Sequence, residues 1–178
     1  MSVFEKLQGT YTEWEALRLK YDEDTHTFFR NFVVGFQTYL GAPSHYQRFP
    51  DRQPTAHLQV VMRKEEGGYG PPPAGQILER GEDGYFNGHI LMTLTKAANH
   101  PIPFLSLTYH LHFLLTPEEC NLEFGPNASK KFRLNRNGNG PNDLAYAYMV
   151  ELVEGMLRQK PWEIEASKRP IGFTLTRG

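Results

Sequence analysis

The sequence predicts an α+β fold: an antiparallel sheet of about five strands, with two N-terminal helices and one C-terminal helix packed on one face. Three observations carry this. Apolar residues recur at steps of three and four near both ends of the chain, two long central segments alternate strictly, and dense turn sequences separate these blocks. The whole chain, residues 1–178, reads as one domain with an excursion at 65–76 and a tail at 161–178.

Val3, Phe4, Leu7, Tyr11, Trp14, Leu17 and Tyr21 share one helical face, loosened at Gly9-Thr10. Asp22-Glu23-Asp24 suits the positive start of a second helix, which carries Phe28, Phe29, Phe32, Val33, Phe36, Tyr39 and Leu40 and stops at Gly41-Ala42-Pro43. Gly35 lies inside that apolar stripe, where a missing side chain lets another element approach. Pro50 and Pro54 mark an irregular crossing between Ser44 and Thr55. Ala56 to Lys64 then alternates, with Leu58, Val60 and Met62 on one side and His57, Gln59 and Arg63 on the other.

Gly67 to Gly75 is too rich in glycine and proline for a helix or a ladder and reads as an exposed excursion around Tyr69. Ile77 to Arg80 is a candidate short strand. The strongest β pattern lies in Tyr85 to Lys96 and Phe104 to Thr116. Phe86, Ile90, Met92 and Leu94 share a face in the first, and Leu105, Leu107, Tyr109, Leu111, Phe113 and Leu115 share one in the second. Thr116-Pro117-Glu118-Glu119 resembles a helix cap and predicts one helical turn. Leu122 and Phe124, then Phe132 and Leu134, face inward on two shorter strands. The turn-rich run Asn135 to Pro141 leads into a helix whose apolar positions are Leu144, Ala145, Tyr148, Leu152, Met156 and Leu157. Ile171, Phe173 and Leu175 alternate in a last strand that returns to the sheet edge or to a partner.

Composition bounds the function. With 39% hydrophobic and 22% charged residues the chain has the means to build a core, which argues against disorder. A lone cysteine, Cys120, excludes an internal disulfide and a multi-thiolate zinc site and suits the cytoplasm. The opening residues have no basic lead or apolar core of a leader, and no apolar run reaches membrane-spanning length, so no membrane partner is expected. Asn127-Ala128-Ser129 fits a glycosylation acceptor but reads as a turn in such a compartment. A net charge of -1 gives no global attraction to nucleic acid. Bases do outnumber acids from Ser129 onward.

A central hairpin folded about Asn99-His100 sets His89 opposite His110 and Thr93 opposite Ser106, with both apolar sets on one side. The other side then collects His89, Thr93, Ser106, Thr108, His110 and His112, joined by His57, Gln59 and Arg63 if the preceding strand pairs alongside. His110-Leu111-His112 points two imidazoles the same way, a spacing that suits chelation, and His89 or His57 could supply a third nitrogen for a divalent metal. The same histidines could act as general acid and base near neutrality. Against this stands a plain reading, a hydrated or subunit-covered face where Thr and His pair across strands. Cys120 follows Glu118-Glu119, whose charge disfavours the thiolate. Lys131, Arg133 and Arg136 offer phosphate-binding charge, or simply a guarded edge strand.

No catalytic motif stands out, so the leading expectation is a non-enzymatic cytoplasmic binding or regulatory module without a cofactor. It would work through protein contacts and self-association, with His57, Arg63, Tyr69, Lys131, Arg133 and Arg136 as contact candidates. The alternative is an enzyme using His89, His110 and His112 as metal ligands or acid–base groups. A third option is nucleotide or nucleic-acid binding through the 130–136 strand.

Overall fold

A computed structural model describes residues 2–43, 45–46, 55–97, 100–124, 130–138, 140, 142–158 and 173–177. The elements run α1 (Val3–Leu40), β1 (His45–Tyr46), β2 (Thr55–Ala56), β3 (Leu58–Arg63), β4 (Tyr69–Gly70), β5 (Glu79–Arg80), β6 (Phe86–Ala97), β7 (His100–Leu115), β8 (Glu119–Phe124), β9 (Lys131–Asn135), α2 (Asp143–Arg158) and β10 (Phe173–Arg177). Expectations at Gln47, Arg48, Phe49, Asn99, Asn127, Ser129 and 161–172 lie outside the described residues.

The α+β architecture holds, with the strands antiparallel and the two helices on one side. The main sheet has eight strands in the order β4-β3-β6-β7-β8-β9, with β5 on β6 and β10 on β7. Of the strands beyond five, β5 and β10 fall where the sequence predicts a short strand at Ile77 to Arg80 and a last one through Phe173 and Leu175. β4 corrects the reading of 67–75 as free of ladder pairing, a two-residue ladder being too short to leave an alternating pattern. β7 is long enough to pair with β6 along one edge and to divide the other, with β10 beside Leu105–Tyr109 and β8 beside Leu111–Leu115.

The helix count is corrected. The two N-terminal helices are one helix of 38 residues, capped by Ser2 and Glu5 at its start and by left-handed Gly41 at its end. Asp22-Glu23-Asp24 contains neither proline nor glycine, so nothing interrupts the ladder. The acids anchor the middle of the helix instead. Asp24 meets Lys20 one turn back and Arg136 at 2.7 Å, and Asp22 lies 3.8 Å from Arg80.

Only the second half of α1 covers the sheet. Phe28, Phe29, Phe32 and Phe36 are buried, with Phe29 stacked on Phe113 at 5.8 Å and Phe36 edge-on to Tyr109 at 5.9 Å. Gly88 of β6 makes room for Phe29, because a Cβ there would stand 2.6 Å from its ring. Gly35 likewise admits Tyr146 of α2, whose hydroxyl donates to the Phe32 carbonyl at 3.0 Å. That bond sets the rotation of α2. Ala145, Tyr146, Met149, Val153 and Met156 are buried, whereas Leu144 and Leu157, expected on the core side, are exposed. Tyr109 adds a second tie by donating to the Met149 carbonyl.

The helical turn expected at Thr116 is a hairpin turn. The Glu119 amide donates to the Thr116 hydroxyl and the Thr116 amide to the Glu119 carbonyl, which takes the chain straight from β7 into β8. Among the described residues no helix is long and apolar enough to cross a membrane.

Candidate functional site

The central ladder has the register that the alternation predicts. His89 faces His110 and Thr93 faces Ser106, and the match continues from Phe86↔Phe113 to Thr95↔Phe104 before slipping to Ala97↔His100. Val61↔His89 brings β3 alongside, so Arg63 also lies on the face turned away from the helices. This face is only partly open. Thr93, Ser106 and Thr108 are buried, and the Thr93 and Ser106 hydroxyls lie 3.4 Å apart, so the hydrated sheet surface is confined to its histidine end.

At that end the Nδ1 atoms of His89 and His110 are 3.1 Å apart. Such a contact requires one nitrogen to carry the proton and its neighbour to be bare. The Gly/Pro-rich excursion folds back as β4, where Tyr69 pairs with Arg63, and lays the Tyr69 ring against both imidazoles. Its hydroxyl is 3.3 Å from His110 Nδ1. Both imidazoles are half-buried and hold protons less tightly than free histidine. Burial lowers His110 to about 4, helped by His89 and then by the Arg63 charge; burial and Arg63 lower His89.

His112 lies on the same face but belongs to a different group. Its Nδ1 is 2.9 Å from Asn87 Oδ1, its Nε2 is 3.4 Å from an Asp83 carboxylate oxygen, and Tyr85 stacks on its ring at 4.4 Å. The expected trio of His89, His110 and His112 is therefore divided into a pair and a singleton. His57 is separate again: its Nδ1 meets the Thr93 carbonyl at 2.8 Å, beside a cavity of about 220 Å³ lined by Leu58, Met92, Tyr109, Val150 and Val153. Among the described residues no three His, Cys, Asp or Glu side chains come together as metal ligands.

The basic strand is neutralised. Lys131 meets Glu123 at 2.6 Å, Arg133 meets Glu119 at 3.7 Å, and Arg136 bonds Asp24 and the Pro117 carbonyl. β9 stands at one end of the strand order, and its outward charges guard it. Cys120 is buried, and burial together with Glu119 pushes its thiol far above the ordinary range.

The second exposed feature is the first half of α1. Val3, Phe4, Leu7, Tyr11, Trp14 and Leu17 are 56–79% exposed, although they continue the stripe that Tyr21, Phe28 and Phe32 seat on the sheet. Tyr11 and Trp14 stack on each other at 6.2 Å, and Arg18 lies over the Trp14 ring.

Sequence reasoning did not find the Tyr69 contact or the Asn87, Asp83 and Tyr85 shell of His112. The only signal for Tyr69 was a large aromatic inside a run of glycines. Comparison with known protein families, characterised proteins and solved structures finds no match.

Proposed function

We propose that the protein is a non-enzymatic cytoplasmic binding module that self-associates through the apolar face of α1 residues 3–17. The carrying observation is the exposure of six large apolar side chains on one stripe that is core elsewhere in the same helix. Monomers rarely leave so continuous an apolar surface in water. A second copy suits it. Steps of three and four from Phe4 through Leu7, Tyr11 and Trp14 are those of knobs-into-holes packing. The flanking charges Glu5, Glu13 and Glu15 balance Lys6, Arg18 and Lys20, so no net charge opposes the approach of a second copy. Antiparallel pairing sets opposite helix dipoles together.

The energy scale supports association. Full burial of such a side chain is worth about 1.5–3 kcal/mol, so half-burial of the stripe on both copies yields on the order of 10 kcal/mol. That is comparable with the ~4–15 kcal/mol cost of joining two bodies, so association should depend on concentration. Light scattering after size exclusion, up to about 100 μM, should show dimer that Leu7→Glu with Trp14→Glu converts to monomer. Wild-type protein that stays monomeric throughout overturns the reading.

A second reading, an acid–base enzyme site, is favoured by the direct His89–His110–Tyr69 contact. Turnover of any substrate that disappears in His110→Gln would establish it over the first.

A further inference from the structure

We infer that Arg63, Tyr69, His89 and His110 form a binding site for a small oxyanion, the carboxylate or phosphate group of a metabolite-sized ligand. The four side chains come from β3, β4, β6 and β7, and strand register brings them to one end of one sheet face. All four can donate hydrogen bonds, and a guanidinium offers the planar fork that oxyanions fit.

The balance of charge decides the sign of the ligand. Of the carboxylates on this side, Asp83 is engaged by His112, Glu123 by Lys131 and Glu119 by Arg133, and Glu79 stands across from Asn87 rather than from the imidazole pair. Arg80, Arg133, Arg136 and Arg158 each have a carboxylate partner, whereas Arg63 has none among the described residues. A metal cation at the imidazole pair would meet the Arg63 charge, and among the described residues no third His, Cys, Asp or Glu joins the pair to hold it. An anion meets a cation, a phenol and two rings that each gain a donor on protonation.

The histidines also couple binding to protons. In the neutral pair one Nδ1 proton is spent on the other ring, so the pair offers few donors to a ligand. An anion beside the rings favours their charged forms, and a proton is taken up as it binds. Affinity should rise as pH falls.

Sulfate keeps its charge across this range and is the first probe; inorganic phosphate and acetate distinguish the two ligand sources. Calorimetry on the full chain should show saturable sulfate binding that tightens at least about threefold between pH 8 and 6, with proton uptake. Stronger binding of phosphate than acetate assigns a phosphate ligand, and the reverse assigns a carboxylate. Arg63→Gln, an exposed position, should weaken binding about tenfold or more. His110→Gln should remove most of the pH dependence while Tyr69→Phe keeps it. Absence of saturable binding, equal affinity in Arg63→Gln, or zinc binding at these residues without a sulfate response overturns the inference.

Discussion

Lowering the pH from 7.5 to 5 should destabilise the fold through the His89–His110 pair. His110 is held down to about 4 in the folded chain, chiefly by burial, whereas in the unfolded chain it titrates near 6.5. Between those values the unfolded state binds more protons, so stability rises with pH there. The contribution is complete above about 6.5 and is lost as pH falls toward 4. A gap of about 2.5 pH units corresponds to roughly 3.4 kcal/mol at most. The ring is only half-buried and water screens it, so about 1–2 kcal/mol is the working figure. For a chain of this length that is a melting shift of roughly 3–6 °C. Thermal melts of wild type and His110→Gln at both pH values separate this effect from acid lability elsewhere. The wild type should lose the additional few degrees, and the variant should not. An equal pH slope in the two proteins, or greater wild-type stability at pH 5, refutes the reasoning.

Two further outcomes concern the scaffold. Gly88→Ala places a methyl group against the Phe29 ring and Gly35→Ala places one against Tyr146, so each should cost about 1–3 kcal/mol, read as a lower urea midpoint. Cys120, buried and held as the thiol, should resist a thiol-specific reagent in the native protein and react fully after denaturation; rapid native labelling would contradict its placement.

The part of the candidate site that was legible in the sequence is the part governed by alternation. A period of two over two adjacent segments allows only registers that keep the apolar sets on one side, and the turn read at Asn99-His100 selects among them the one that opposes His89 and His110. The outward direction of Lys131 and Arg133 followed from the same rule. What stayed hidden depends on contacts between distant segments. Asp22 and Asp24 look like a helix start when read locally, and only Arg80 and Arg136 reveal them as mid-helix anchors. The face of α2 was set by Tyr146 reaching the Phe32 carbonyl rather than by its own periodicity. Tyr69 could not be placed because a glycine-rich turn does not specify where it folds back. The exposed half of α1 shows the reverse problem, since periodicity identifies an apolar face without saying which molecule covers it.

The divided edge of β7 bears on how the chain emerges from the ribosome. The stretch Leu105–Tyr109 appears with β6 already beside it, but its other edge has no neighbour until β10 follows, after β8, β9 and α2 have been made. For that interval a buried-type strand presents open amide and carbonyl groups, the arrangement that invites pairing with a neighbouring nascent chain. Variants that slow the arrival of β10 should therefore lower soluble yield more than they lower the melting temperature of the protein that does fold.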